Sequence, residues 1–228
     1  MHIYYYNCFD YLPKDILVNK VNPIGRAIPL DLVDVDTRVE GVYVVENYVM
    51  RLDSEAAYNW QELKLRIQAM GFDIDISSGY RSYDYQKLLI EHYTKIYGEE
   101  FIRKTWAPPG TSEHQTGLAI DFVPYREKKS KDMTDEEKEF YKLRGEKTYE
   151  LVHQICHQYG FILRYPLAPS KDPNEAHPIT GYKAEPWHLR YIGRQLAEEM
   201  NHLGFSTYEE FLTYRENKDQ SRLNLALT

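Results

Sequence analysis

Ser112-Glu-His114-Gln-Thr-Gly117-Leu-Ala-Ile-Asp121 decides how this chain is read, because it sets an imidazole and a carboxylate on either side of a glycine. His114 and Asp121 are both ligand types that zinc accepts, and Gly117 permits the tight turn that lets them face one ion. Leu118 to Phe122 then alternates as a strand. Ala119 and Asp121 share its inner face, so a small side chain lies beside the ligand and leaves room for a metal. Just upstream, Ala107-Pro-Pro-Gly110 breaks the chain.

The second half of this site lies far downstream, in Glu185-Pro-Trp-His188. His188 completes a set of two histidines and one aspartate and leaves a fourth position open. Three protein ligands plus a water is the arrangement of catalytic zinc, where the ion lowers the pKa of that water to about 7. Glu185 is the candidate base for its proton. Trp187 to Ile192 reads as a strand with His188 and Arg190 on one face and Trp187, Leu189 and Tyr191 on the other. Glu185 and His188 would fall on opposite faces of a regular strand, so the chain must bend at Glu185, and Pro186 keeps that residue out of a helix.

Taken together, Ser-x-His with the aspartate seven residues on, followed by Glu-x-x-His, resembles the VanY-type D-alanyl-D-alanine carboxypeptidases. The VanX dipeptidases, the dual-activity VanXY enzymes, the L,D-carboxypeptidases and some phage endolysins share the pattern. Further matching stretches are Leu17-Val-Asn-Lys20, Ser78-Gly-Tyr-Arg81-Ser, Tyr159-Gly-Phe-Ile-Leu-Arg-Tyr165 and Thr180-Gly-Tyr, so the likeness runs from about Asp15 to Phe211. It implies a zinc peptidase acting on cell-wall peptides, with a fold like that of the D,D-peptidases and Hedgehog-type domains. The expected metal set is one Zn2+ per chain held by His114, Asp121 and His188, with Glu185 as catalytic base. Arg81 is the candidate second cation, either steadying the developing oxyanion or gripping a substrate carboxylate through its planar fork. Ser112 is a candidate donor to the substrate, and Gln86 a further candidate for the same pocket.

Composition narrows the field. With 228 residues and 43% hydrophobic content the chain can bury one full core, so residues 1–228 read as a single domain with its core at about 15–215. A formal charge of −7 and a pI near 5.7 argue against nucleic acid as a partner. Cys8 and Cys156 are too few for a disulfide framework or a cysteine metal site. The N-terminus lacks a signal-peptide pattern and no stretch is long enough to span a bilayer, which favours a cytoplasmic protein, with the cell envelope as the alternative if an export signal was trimmed.

Periodicity supplies the rest. Val42-Tyr-Val-Val45 reads as an edge strand. Ala56, Trp60, Leu63, Ile67 and Met70 mark a helix that Gly71 stops. Phe72, Ile74 and Ile76 alternate as a strand that delivers Tyr80 and Arg81 to a loop. Ser82 caps a helix whose buried face is expected at Tyr85, Leu89, His92 and Ile96. Thr134 to Glu137 forms a capping box for a short exposed helix, and Tyr149, Val152, Cys156 and Tyr159 mark a separate one. Phe161 to Tyr165 is a strand, and 167–180 a long loop bordering the cleft. Helices at Arg194 to His202 and Tyr208 to Tyr214 close the domain, with 216–228 a frayed tail. The elements interleave without a regular βαβ repeat, which gives an α+β class with a small, largely antiparallel central sheet flanked by helices.

The resulting expectation is a D,D-carboxypeptidase that removes the terminal D-alanine of a peptidoglycan stem peptide or precursor, with D-Ala-D-Ala dipeptidase activity as a second function. L,D-cleavage of a tetrapeptide stem is one alternative. A non-catalytic zinc-containing peptidoglycan-binding module is another, and a structural zinc site would recruit a fourth ligand such as His177. His2, His92, His153, His157, His177 and His202 read as structural.

Overall fold

The computed structural model describes residues 11–39, 48–126 and 130–226. The expected strand at Val42 to Val45 lies outside them. Strand β1 (Leu32–Asp34) pairs antiparallel with β2 (Arg51–Asp53), which runs straight into helix α1 (Ser54–Ala69). The Asp53 carboxylate starts that helix by accepting from the backbone N–H groups of Glu55 and Ala56. Ala56, Trp60, Leu63 and Ile67 form its buried stripe, and Gly71 turns the chain at φ 82°.

The central sheet has four antiparallel strands in the order β3-β4-β6-β5: β3 (Ile74–Ser78), β4 (Ala119–Pro124), β5 (Phe161–Leu163) and β6 (His188–Tyr191). Period-two alternation divides its two central strands. Ile120 and Phe122 of β4, with Leu189 and Tyr191 of β6, join α1 in the main core. Their neighbours Ala119, Asp121, His188 and Arg190 point the other way, and the register sets Asp121 opposite His188 and Ala119 opposite Arg190. The sheet thus carries two sequence-distant candidate ligands as a cross-strand pair.

Helix α2 (Tyr83–Tyr97) starts at Ser82, whose Oγ accepts from Tyr85 N. Its buried residues are Gln86 and Leu89, whereas His92 and Ile96 are exposed. The expected stripe is therefore rotated. The cause is a helix that periodicity did not reveal, α3 (Glu99–Thr105), after which Trp106 packs on Tyr93 at 4.9 Å.

Residues 135–155 form one helix, α4 (Asp135–Ile155), rather than two, with both halves of the Thr134/Glu137 capping box present. Gly145 in its interior costs only about 1 kcal/mol relative to alanine. Ion pairs one turn apart, Lys138 with Asp135 and Lys147 with Glu150, support the helix across the charged segment. A single 3₁₀ turn, Cys156–Tyr159, leads to Gly160 and β5.

Helix α5 (Arg194–Leu203) is followed by α6 (Tyr208–Ala226), which corrects the expectation of a frayed tail from residue 216. Tyr208 and Phe211 anchor α6 in a second core with Ile162, Ala197 and Met200. Beyond them the helix continues through the polar stretch 215–222, tied to α5 by Lys218 and Glu199 at 3.5 Å. An amphipathic stripe is what sequence reading detects, and this half of α6 has none.

Candidate active site

The 3₁₀ turn Glu113–Thr116 holds His114 and ends at Gly117, whose φ of 72° is the left-handed conformation that a side chain resists. Space demands glycine there as well, since a Cβ would sit 2.7 Å from Leu32 Cδ2 and 3.0 Å from Asp53 N. The turn is pinned to the end of β3: Arg81 N donates to His114 O at 3.1 Å, and His114 Nδ1 lies 2.7 Å from Gly79 O. A carbonyl can only accept, so Nδ1 carries the proton and Nε2 keeps its lone pair. That Nε2 is buried, has no hydrogen-bond partner among the described residues, and lies 3.3 Å from Asp121 Oδ2.

His188 faces the same carboxylate with its other nitrogen. Its Nδ1 is 3.0 Å from Asp121 Oδ1, while Nε2 points to Glu113 Oε2 at 3.5 Å. Ligand atoms of His114, Asp121 and His188 all lie within 4.8 Å of one another. The donor set fits a divalent cation of the zinc type: two imidazole nitrogens and one carboxylate, with the His114 nitrogen buried and unsatisfied among the described residues. A carbonyl hydrogen-bonded to the far nitrogen of His114, and the Glu113 carboxylate 3.5 Å from that of His188, are the kinds of group that orient metal-binding imidazoles.

Electrostatics agree with a site built for positive charge. Burial and the Arg81 guanidinium push His114 down to about 4, keeping it neutral. Burial opposes a charge on His188, yet Asp121 and Glu113 outweigh it and lift that imidazole to about 9. Asp121 is held well below the usual carboxylate range because the two histidines outweigh its burial. The protein groups alone thus call for a cation at this point, which a metal ion supplies while leaving both histidines neutral.

The bend expected at Glu185 is present. Residues 185–188 form a turn in which His188 N donates to Glu185 O at 3.0 Å, and Glu185 N donates to Tyr165 O at 3.0 Å. The Glu185 carboxylate then lies 3.7 Å from His188 Nδ1, beside the ligand group. Burial raises it to about 7, with Asp121 reinforcing the effect and His188 opposing it.

These groups line a cleft of about 470 Å³, a size suited to a small ligand or peptide end. Arg81, Gln86, Ser112, Trp106, Tyr165, Tyr182, Lys183 and Trp187 complete its walls. No carboxylate pairs with Arg81 among the described residues, and its Nε is buried without a partner, so a surface salt bridge is not its role. Gln86 donates through Nε2 to Ala107 O at 2.8 Å, leaving Oε1 buried and unpaired as an acceptor. Ser112 precedes the 3₁₀ turn without capping it through its side chain. His177 belongs to a loop turn, where Nδ1 accepts from Ile179 N at 3.2 Å, and does not join the ligand group. His153 Nε2 lies 2.7 Å from Pro186 O and braces the turn from behind.

Sequence reasoning missed Glu113, Arg164 and Arg190. All three are at most 1% exposed, and Arg164 Nε and Arg190 Nη1 both reach Glu113 Oε1, at 2.8 and 3.1 Å. The signal was present. Arg190 alternates with buried positions on the His188 face of β6, and a buried guanidinium requires a buried carboxylate.

An antiparallel sheet that brings two histidines, an aspartate and a neighbouring glutamate together in a cleft forms a candidate metal centre of the kind hydrolases use. The family model of the VanY D-alanyl-D-alanine carboxypeptidases matches residues 49–194, and the chain belongs to that family. It is 33% identical over 189 residues to the YodJ protein of Bacillus subtilis (strain 168), a match covering 82% of this chain and 63% of that protein. It is 37% identical over 142 residues to the bifunctional D-Ala-D-Ala dipeptidase and carboxypeptidase VanXYC of Enterococcus gallinarum, covering 62% of this chain and 67% of the relative. The chain therefore spans about two thirds of the length of these relatives. Among solved structures, the LdcB LD-carboxypeptidase superposes with a TM-score of 0.63 at 31% identity, covering 86% of this chain and 84% of that one. A VanY D,D-pentapeptidase in complex with Zn(II) gives 0.58 at 31% identity, covering 87% and 98%. The fold is shared with these peptidases. No helix of the described residues is long and apolar enough to cross a membrane.

Proposed function

We propose that this chain is a zinc-dependent D,D-carboxypeptidase that releases the terminal D-alanine from peptidoglycan stem peptides or their precursors. The observation that carries the reading is the convergence of His114, Asp121 and His188 on one point, with Glu185 beside it and the unpaired Arg81 in the same cleft. His114 through Nε2, Asp121 through a carboxylate oxygen and His188 through Nδ1 would hold one ion per chain. When bound, a zinc ion supplies Lewis-acid polarisation of the scissile carbonyl and acidifies a water.

The chain's own residues do the remainder. Glu185 takes a proton from the attacking water and delivers it to the leaving amine as the C–N bond breaks and the new C–O bond forms. The carboxylate that Arg81 grips belongs to the terminal D-alanine, and its fork fits that group. Ser112 offers a hydroxyl beside it, and Gln86 Oε1 offers an acceptor for a substrate N–H.

Carboxypeptidase action is favoured over dipeptidase action by the charge of the cleft. A free dipeptide brings an ammonium that needs a carboxylate. Among the described lining residues the carboxylates are Glu113, Asp121 and Glu185, and each is already assigned: Glu113 to two arginines, the others to the metal and the proton. The remaining charged lining residues, Arg81 and Lys183, are cations. Purified zinc-loaded protein incubated with a muropeptide pool should yield products shortened by one D-alanine in mass spectrometry. An unchanged pool would favour a binding module instead.

A further inference from the structure

We infer that Glu113 is a positioning residue: its buried carboxylate fixes His188 in the tautomer that presents Nδ1 to the ion. The inference rests on the proposal that the His114, Asp121 and His188 group holds a metal. His188 Nε2 and Glu113 Oε2 face each other at 3.5 Å, and neither has a hydrogen-bond partner among the described residues. Both are buried, so each is the other's available partner. The ring's Nδ1 hydrogen-bonds Asp121 Oδ1 at 3.0 Å; an ion held by Nδ1 and Asp121 together would leave the ring proton on Nε2, where the Glu113 carboxylate, which only accepts, faces it.

What makes the arrangement one-way is the other oxygen. Glu113 Oε1 accepts from Arg164 Nε at 2.8 Å and lies 3.1 Å from Arg190 Nη1. Both guanidiniums are themselves locked. Arg164 forks onto Glu209 at 2.9 and 2.7 Å, and Arg190 Nη2 donates to Lys14 O and Ile16 O at 3.1 and 2.8 Å. The carboxylate can neither rotate away nor be replaced by solvent. An amide at this position is forced into the harmful orientation: its oxygen must meet the two arginines, so its NH₂ must face His188. That amide donates to Nε2, moves the ring proton to Nδ1 and removes the lone pair the ion needs.

Glu113→Gln therefore changes a tautomer with almost no change of volume. Metal-stripped wild type, Glu113→Gln and Glu209→Gln are titrated with zinc against a chromophoric chelator, and the melting temperature of each stripped protein is recorded. Glu209 supports the same Arg164 from the far side without touching His188, so its variant measures general loosening of the ionic cluster. The expected result is a 10–100-fold loss of zinc affinity in Glu113→Gln, the size typical of groups that orient a metal ligand, and less than threefold in Glu209→Gln. Equal affinity of Glu113→Gln and wild type overturns the inference, as does an equal loss in both variants. Should Glu113→Gln not fold, histidine ¹⁵N spectra of the zinc-loaded wild type decide it. A proton on His188 Nε2 with metal on Nδ1 is expected, and metal on Nε2 overturns it. Absence of zinc binding by the wild type would instead remove the metal-site reading, and the inference with it.

Discussion

Glu185→Gln keeps the shape of the side chain and removes its capacity to carry a proton. In the structure Glu185 lies beside the ligand triangle rather than in it, 3.7 Å from His188 Nδ1, and its burial in the cleft lifts it to about 7. A base poised near working pH both accepts a proton from water and returns it to the leaving amine. Loss of such a base lowers turnover by about 10²–10⁴-fold, equivalent to about 2.7–5.4 kcal/mol in the barrier at 1.36 kcal/mol per tenfold. His114, Asp121 and His188 are untouched, so zinc content should stay at one per chain. D-alanine release from a pentapeptide, measured alongside elemental analysis of the same sample, separates the two effects. Turnover within threefold of wild type with zinc retained, or loss of the zinc, would refute the assignment of Glu185 as the base.

Other perturbations address neighbouring parts of the account. His114→Ala and His188→Ala each delete one of three protein ligands, so elemental analysis after dialysis should find clearly substoichiometric zinc; full occupancy in both contradicts the ligand set. Arg81→Ala removes an unpaired cation from the cleft, and the loss of a charged hydrogen bond worth about 1.5–3 kcal/mol should lower kcat/KM by about 10–100-fold. Gly117→Ala forces a side chain into φ 72° against Leu32 and Asp53, and should lower stability by at least about 1 kcal/mol in urea melts. Burial disfavours a charge on Asp75, but Arg38 and Lys64 outweigh it and hold its pKa below the ordinary value. A carboxylate with a depressed folded pKa adds stability above its unfolded pKa of about 3.9 that is lost as pH falls through the folded value. Asp75→Asn should therefore cost about 3 kcal/mol at pH 7 and flatten the stability profile below about pH 4.

Local signals made much of the fold legible. Gly71, Ser82, Thr134 and Gly160 punctuate the chain by conformational and capping rules that act over a few residues, and the elements they bound lie near their expected places. The candidate ligands were legible because spacing and side-chain type coincide in two motifs, and the alternation of β4 and β6 dictates which faces Asp121 and His188 occupy. Other features depend on partners that pattern reading does not see. The face of α2 turned because α3 and Trp106 cover Tyr93. The polar half of α6 carries no stripe, and the carboxylate behind His188 belongs to a residue whose burial only the two arginines explain.

The central claim is that this cleft removes a terminal D-alanine, and one measurement reaches it directly. Zinc-loaded protein is incubated in parallel with a pentapeptide stem ending in D-Ala-D-Ala, a tetrapeptide stem ending in a single D-Ala, and free D-Ala-D-Ala, and released D-alanine is quantified. The cleft described above, with Arg81 unpaired and no carboxylate left for an ammonium, predicts release from the pentapeptide at a rate well above that from the dipeptide. Release from the tetrapeptide alone would contradict it and establish L,D-cleavage in its place.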